Sequence, residues 1–170
     1  VKEIEKGVLI QNSGLIITWP FLSTLFSKLN LTEDSVFKND FSTQKAIIAS
    51  QYMVYGSIPF DEDSLLLNKI LCGVPFEYFV DMNITLTETE KGICDMALEA
   101  VLAQWKNVKS IQTLREYFLQ RQGLLQSTDS EYILRVNEET RDILLKFIIW
   151  NLSLIKTSHM DKPLTIHWKY

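Results

Sequence analysis

Apolar positions along the first two thirds of the chain recur at three- and four-residue intervals, broken by residues that start or stop helices. After an extended opening from Gly7 to Ile10, QNSG reads as a turn, and ITWPFLSTLFSKLN predicts a helix capped by Thr18 or Trp19 with Pro20 in its first turn. Phe21, Leu22, Leu25, Phe26 and Leu29 would form its apolar face, and Asn30 suits a left-handed end. A second helix is expected from Ser42 as N-cap to Tyr55, stopped by Gly56 with Pro59 beyond. In SLLLNKILCGVP, Ser64 would cap a short helix with Leu66, Leu67, Ile70 and Leu71 on one face. Gly73 would take positive φ past its end, and Pro75 would prevent resumption. Asn68 and Lys69 then fall on its exposed side, and Gly73→Ala is expected to cost about 1 kcal/mol.

The best-defined helix follows Thr87, which with Glu90 makes a capping box ahead of apolar positions 93, 94, 97, 98, 101, 102 and 105. A further helix starts at Ser110, placing Ile111, Leu114, Tyr117 and Phe118 on one face before Gly123. Beyond Gly123 the period changes. YILRV (132–136), LSLIK (152–156) and LTIHW (164–168) read as strands, with MDKP as the turn between the last two, and TRDILLKFIIW keeps helical spacing between the first two. The expected architecture is α+β, a mainly helical body with a small, partly antiparallel C-terminal sheet. No repeat or low-complexity linker divides it, so residues 1–170 are expected to be a single globular domain.

Composition narrows the chemistry. A net charge of −4 with scattered Lys and Arg lacks the electrostatic footprint of a nucleic-acid binder. The most apolar stretches fall short of the roughly 18 residues that suggest a membrane span. Cys72 and Cys94 form no CxxC and have no neighbouring histidine, which points to inert core thiols in a reducing compartment and to no zinc site, with a single disulfide as the alternative. At a helix C-terminus the negative partial charge would raise the Cys72 pKa and disfavour a nucleophile. His159 falls in a loop, and His167 alternates onto the polar side of the last strand. Asp61, Glu62 and Asp63 lack the spacing of a calcium loop and read as a solvated turn. Arg115, Arg121, Arg135 and Arg141 read as surface ion-pair partners. No catalytic, cofactor or metal motif is written in the chain. Trp105 belongs to a core face and Trp19 to a helix entry. Trp150, Trp168 and Tyr170 border the C-terminal hairpin and are the interface candidates, since aromatics anchor protein contacts, although alternation of Leu164, Ile166 and Trp168 favours a core position for Trp168 and leaves Tyr170 as the residue with little reason to be buried. The final strand, with one edge free, would accept a neighbouring strand.

IQNSGLIITWPFLSTLF, LLLNKILCGVPFE, CDMALEAVLAQW, LREYFLQRQGLL and IIWNLSLIKTSHMDKPLTIHW together resemble the signature domain of the contractile injection system tape measure family. The chain departs from that pattern in having NSGL for NAGL, Ile149-Trp150 for Pro-Trp, and His159 before Met160. The resemblance implies a non-enzymatic component of a phage-tail-like particle, assembled in the cytoplasm, whose partners are inner tube, cap or terminator, and baseplate proteins. It further implies several symmetric copies at a tube end. Whether the chain is the globular part of a longer tape measure or a stand-alone adaptor or plug stays open. The rival readings are a small enzyme using Cys72 or His167 and an effector carried in the tube lumen.

Overall fold

The computed structural model describes residues 2–170. It begins with α1 (Lys2–Lys6) and β1 (Val8–Ile10), then a buried 3-10 helix (Ser13–Phe21) that passes directly into α2 (Leu22–Lys28). A two-stranded ribbon, β2 (Thr32–Glu33) and β3 (Val36–Phe37), leads to α3 (Asp40–Tyr55), α4 (Leu66–Leu71) and α5 (Glu88–Gln104). Then α6 (Ile111–Leu114) continues as a π-helical turn (Arg115–Leu119). The C-terminal third is β4 (Gly123–Ser127), β5 (Tyr132–Val136), a 3-10 helix (Thr140–Phe147), β6 (Leu154–Ile155) and β7 (Leu164–His167). The fold is α+β.

Five strands form one mixed sheet in the order β1-β4-β5-β7-β6, with β5 and β7 parallel and the other pairs antiparallel. The final strand is therefore internal, paired on both sides, and offers no free edge. The edges are β1 and β6, and β6 is closed by a side chain. Leu154 donates its N–H to Asn151 Oδ1 (3.4 Å), and its carbonyl accepts from Asn151 Nδ2 (2.9 Å). Leu125, Leu134, Leu164 and Ile166 face the helices and are buried, as alternation along half-covered strands requires.

Several predicted boundaries hold for the predicted reasons. The Thr87–Glu90 capping box is present in both directions, at 3.1 and 2.9 Å. Asn30 (φ 60°) takes the left-handed conformation, and Gly73 (φ 78°) closes α4 with paired bonds from its own N–H to Ile70 and from Val74 N–H to Lys69. Others shift. Asn39, not Ser42, caps α3, its side chain accepting from the Ser42 N–H at 2.8 Å. Ser64 does not cap α4, because its hydroxyl donates to the Asp61 carbonyl (2.6 Å). The helix predicted around Trp19 starts earlier, at Ser13, as a 3-10 coil. The one at 140–147 is also 3-10, which puts Asp142 and Leu145 on one inward ridge at three-residue spacing.

Three polar residues read as exposed are buried. Asn68 is wholly inside, where it accepts from Asn12 Nδ2 (2.8 Å) and donates to Ser50 Oγ (2.8 Å) and Gln51 Oε1 (3.1 Å). Asn12 also donates to Gln51 Oε1 (2.9 Å). This carboxamide cluster fixes the N-terminal 3-10 entry to α3 and α4, and none of its members carries charge. Lys69, 3% exposed, reaches Glu62 (3.1 Å) and the Phe76 carbonyl (3.0 Å). Arg121 is 2% exposed and paired with Asp142. Asn68→Ala removes an acceptor from the Asn12 amide and a donor from Ser50 Oγ and Gln51 Oε1 at a wholly buried site, and is expected to lower unfolding free energy by about 2 kcal/mol in urea titration. A loss below half that would show the cluster is dispensable.

Candidate interaction surface

The tryptophans bind the chain to itself. Trp19 and Trp150 form reciprocal hydrogen bonds between the first 3-10 helix and the 148–151 segment. The Trp19 indole donates to the Asn151 carbonyl (2.7 Å), and that of Trp150 to the Ile17 carbonyl (2.9 Å). The Trp150 ring stands edge-on to Phe21 at 5.3 Å, half-buried. Trp105 is fully buried against Phe118 and donates to the Leu144 carbonyl (3.0 Å).

Trp168 is buried and donates to Asp142 Oδ2 (2.9 Å), beneath the Arg121 guanidinium, 5.4 Å from its ring. Arg121 meets both Asp142 oxygens, at 2.5 and 2.8 Å, and the Asn137 carbonyl at 2.6 Å. Burial pushes the Asp142 carboxyl up, but hydrogen bonds from Arg121, Trp168 and the Glu139 N–H, with the charge of Arg121, outweigh it and hold it below the usual carboxylate range. Trp168 is thus part of a buried bracket joining the segment after the π-turn, the 140–147 helix and the residue that follows β7.

Of the three candidates, Tyr170 alone stands open, at 59% exposure. Beside it the outer sheet face gathers groups that sequence reading did not bring together. Arg135 and His167 are register partners on β5 and β7, and with Lys169 and Asn137 they line one cleft. Alternation places His167 outward, as expected, and alternation with the buried Leu134 and Val136 does the same for Arg135. Only the parallel pairing of β5 with β7 puts them side by side.

The groups suited to covalent chemistry are poorly placed for it. Both cysteines are buried free thiols, and burial pushes both up, Cys94 to about 12, so thiolate is scarce at neutral pH. His159 stacks on Phe37 at 4.6 Å between ring centres, and burial lowers its pKa. Among the described residues no three metal-ligating side chains converge, and no helix is long and apolar enough to cross a membrane.

Comparison with curated proteins and with solved structures found no match. The family model described as contractile injection system tape measure protein matches residues 1–168, spanning the core, the tryptophan pairs and β7. That family is a structural component of contractile injection systems. The chain belongs to the contractile injection system tape measure protein family.

Proposed function

We propose that this chain acts at one end of the inner tube as a folded unit, either the globular part of a tape measure or an adaptor or plug, facing cap, terminator or baseplate proteins, in several symmetric copies and as one globular domain. The observation that carries the reading is the length of its parts. A ruler must lie extended along the lumen, yet α5, the longest helix, has 17 residues and spans about 25 Å. The chain also folds back so that Trp19 meets Asn151. Unravelling such a body would expose a core that includes Trp105, Phe26 and Phe118.

Imaging of intact particles carrying a tag on this chain tests the reading. The tag is expected at a single tube end. A helical insertion at the exposed Asp129–Ser130 turn is expected to leave tube length unchanged. Tubes that lengthen by about 1.5 Å per inserted residue, or a tag spread along the lumen, would sink it.

A further inference from the structure

Charge is unevenly distributed along the chain. Residues 51–104 hold nine acidic and two basic side chains, a net −7, whereas residues 105–170 hold ten basic and seven acidic, a net +3. These stretches contribute to two unlike surfaces.

The first is an apolar trough on the helical body. Ile58, 58% exposed, belongs to two adjoining clefts. One is lined by Phe60, Met82, Ile84 and Leu86, and the other by Tyr55 and Ile111. The cations in the walls are already occupied. Lys91 is held by Glu88 (3.4 Å), and Arg115 by Asp95 (3.4 Å) and the Met53 and Tyr52 carbonyls (3.0 and 3.3 Å). Within the lining Lys91 and Arg115 balance Asp95 and Glu116, and the exposed Asp61, next to Phe60, and Glu88, paired with Lys91, flank it, so the trough and its rim together hold more acids than cations. The second surface is the cleft of about 530 Å³ on the outer sheet face, where Arg135, His167 and Lys169 outnumber one acid, Glu138, and the exposed Tyr170 follows Lys169 in the chain.

A single chain cannot close these surfaces on each other, because the outer sheet face is turned away from the helices that build the trough. We infer that copies of this chain join head to tail, with Tyr170 and the Arg135–His167–Lys169 cleft of one copy docking on the Ile58 trough of the next. The tyrosine ring supplies an apolar body of the kind that anchors interfaces, Met82 supplies an adaptable wall, and Arg135 and Lys169 meet Glu116 and Asp61. A contact between two different patches propagates in one direction and closes into a ring when the rotation allows. The ring's placement in the particle rests on the tube-end reading, whereas the contact itself does not.

Sedimentation of the purified chain decides it. The unmodified chain is expected to associate reversibly below about 0.1 mM, and more weakly as salt rises. Ile58→Glu, and separately the pair Arg135→Glu with Lys169→Glu, should each weaken self-association about 30-fold with unchanged melting temperature, since all three positions are exposed. The two variants mixed in equal amounts retain one intact trough and one intact sheet cleft between them, so they should form a dimer and nothing larger. A chain that stays monomeric at 0.1 mM, variants that associate as the parent does, or a mixture no more associated than its components would each overturn the contact. A tag found away from the tube end, with the mixed dimer still forming, would sink the placement and leave the contact standing.

Discussion

Replacing Asp142 with alanine is expected to lower the unfolding free energy by about 3–5 kcal/mol, the loss typical when one member of a buried ion pair is left unpaired. Arg121 would keep its charge at 2% exposure with only the Asn137 and Tyr117 carbonyls and the distant Glu139 (3.6 Å) to answer it, and the Trp168 indole would lose its acceptor. Replacing both partners with apolar residues, Arg121→Met with Asp142→Leu, should recover most of the loss. Urea titration of the three variants measures this, and a single-variant loss under 1 kcal/mol would show that water already reaches the pair. The same pair sets an acid limit. The folded-state pKa of Asp142 is depressed, so its contribution is complete above the unfolded value near 3.9 and is lost as pH falls through the lower folded value.

The second large effect is at Gly73. Positive φ alone would cost an alanine about 1 kcal/mol. The fold adds a steric cost, because a Cβ there would overlap the carbonyl oxygen of His159, a backbone atom with little room to yield. Gly73→Ala is therefore expected to cost about 3 kcal/mol in total and to lower the melting temperature by roughly 10 °C. Gly92 is the control. It lies within α5 with nothing within 4 Å of where a Cβ would stand, so Gly92→Ala should stabilise by about 0.5–1 kcal/mol. Equal effects at the two positions would show that the His159 contact does not matter.

That contrast shows what the sequence carries and what it does not. Local chemistry was legible: the Thr87 box, the left-handed Asn30 and the Gly73 stop each depend on residues within a few positions. Helical periodicity identified the inward leucines of α4 and α5. It failed at Asn68, Lys69 and Arg121, because a helical pattern sends polar residues outward unless partners are known. The partners here, Asn12, Glu62 with the Phe76 carbonyl, and Asp142, are supplied by tertiary structure. Spacing of three residues also fails to separate a 3-10 coil from an α-helix over eight residues, so the helical spacing of TRDILLKFIIW is equally compatible with the 3-10 coil that forms at Thr140–Phe147. Of the interface candidates, exposure at Tyr170 was foreseeable, and so was burial of Trp168 from its alternation with Leu164 and Ile166, whereas the ion pair that Trp168 joins and the Arg135–His167 cluster depend on a chain path and strand order that no local pattern encodes.

The Asn151 side chain bears on a different hazard. The several-copy assembly proposed above would hold the chain at high local concentration, the condition under which exposed strand edges seed fibres. Indefinite growth needs two open edges per molecule, and the Leu154 amide and carbonyl, already bonded to Asn151, leave only β1 available. Sheets joined through β1 alone stop at a pair. One asparagine thereby sets a ceiling on aggregation through this sheet, independent of how stable the rest of the fold is.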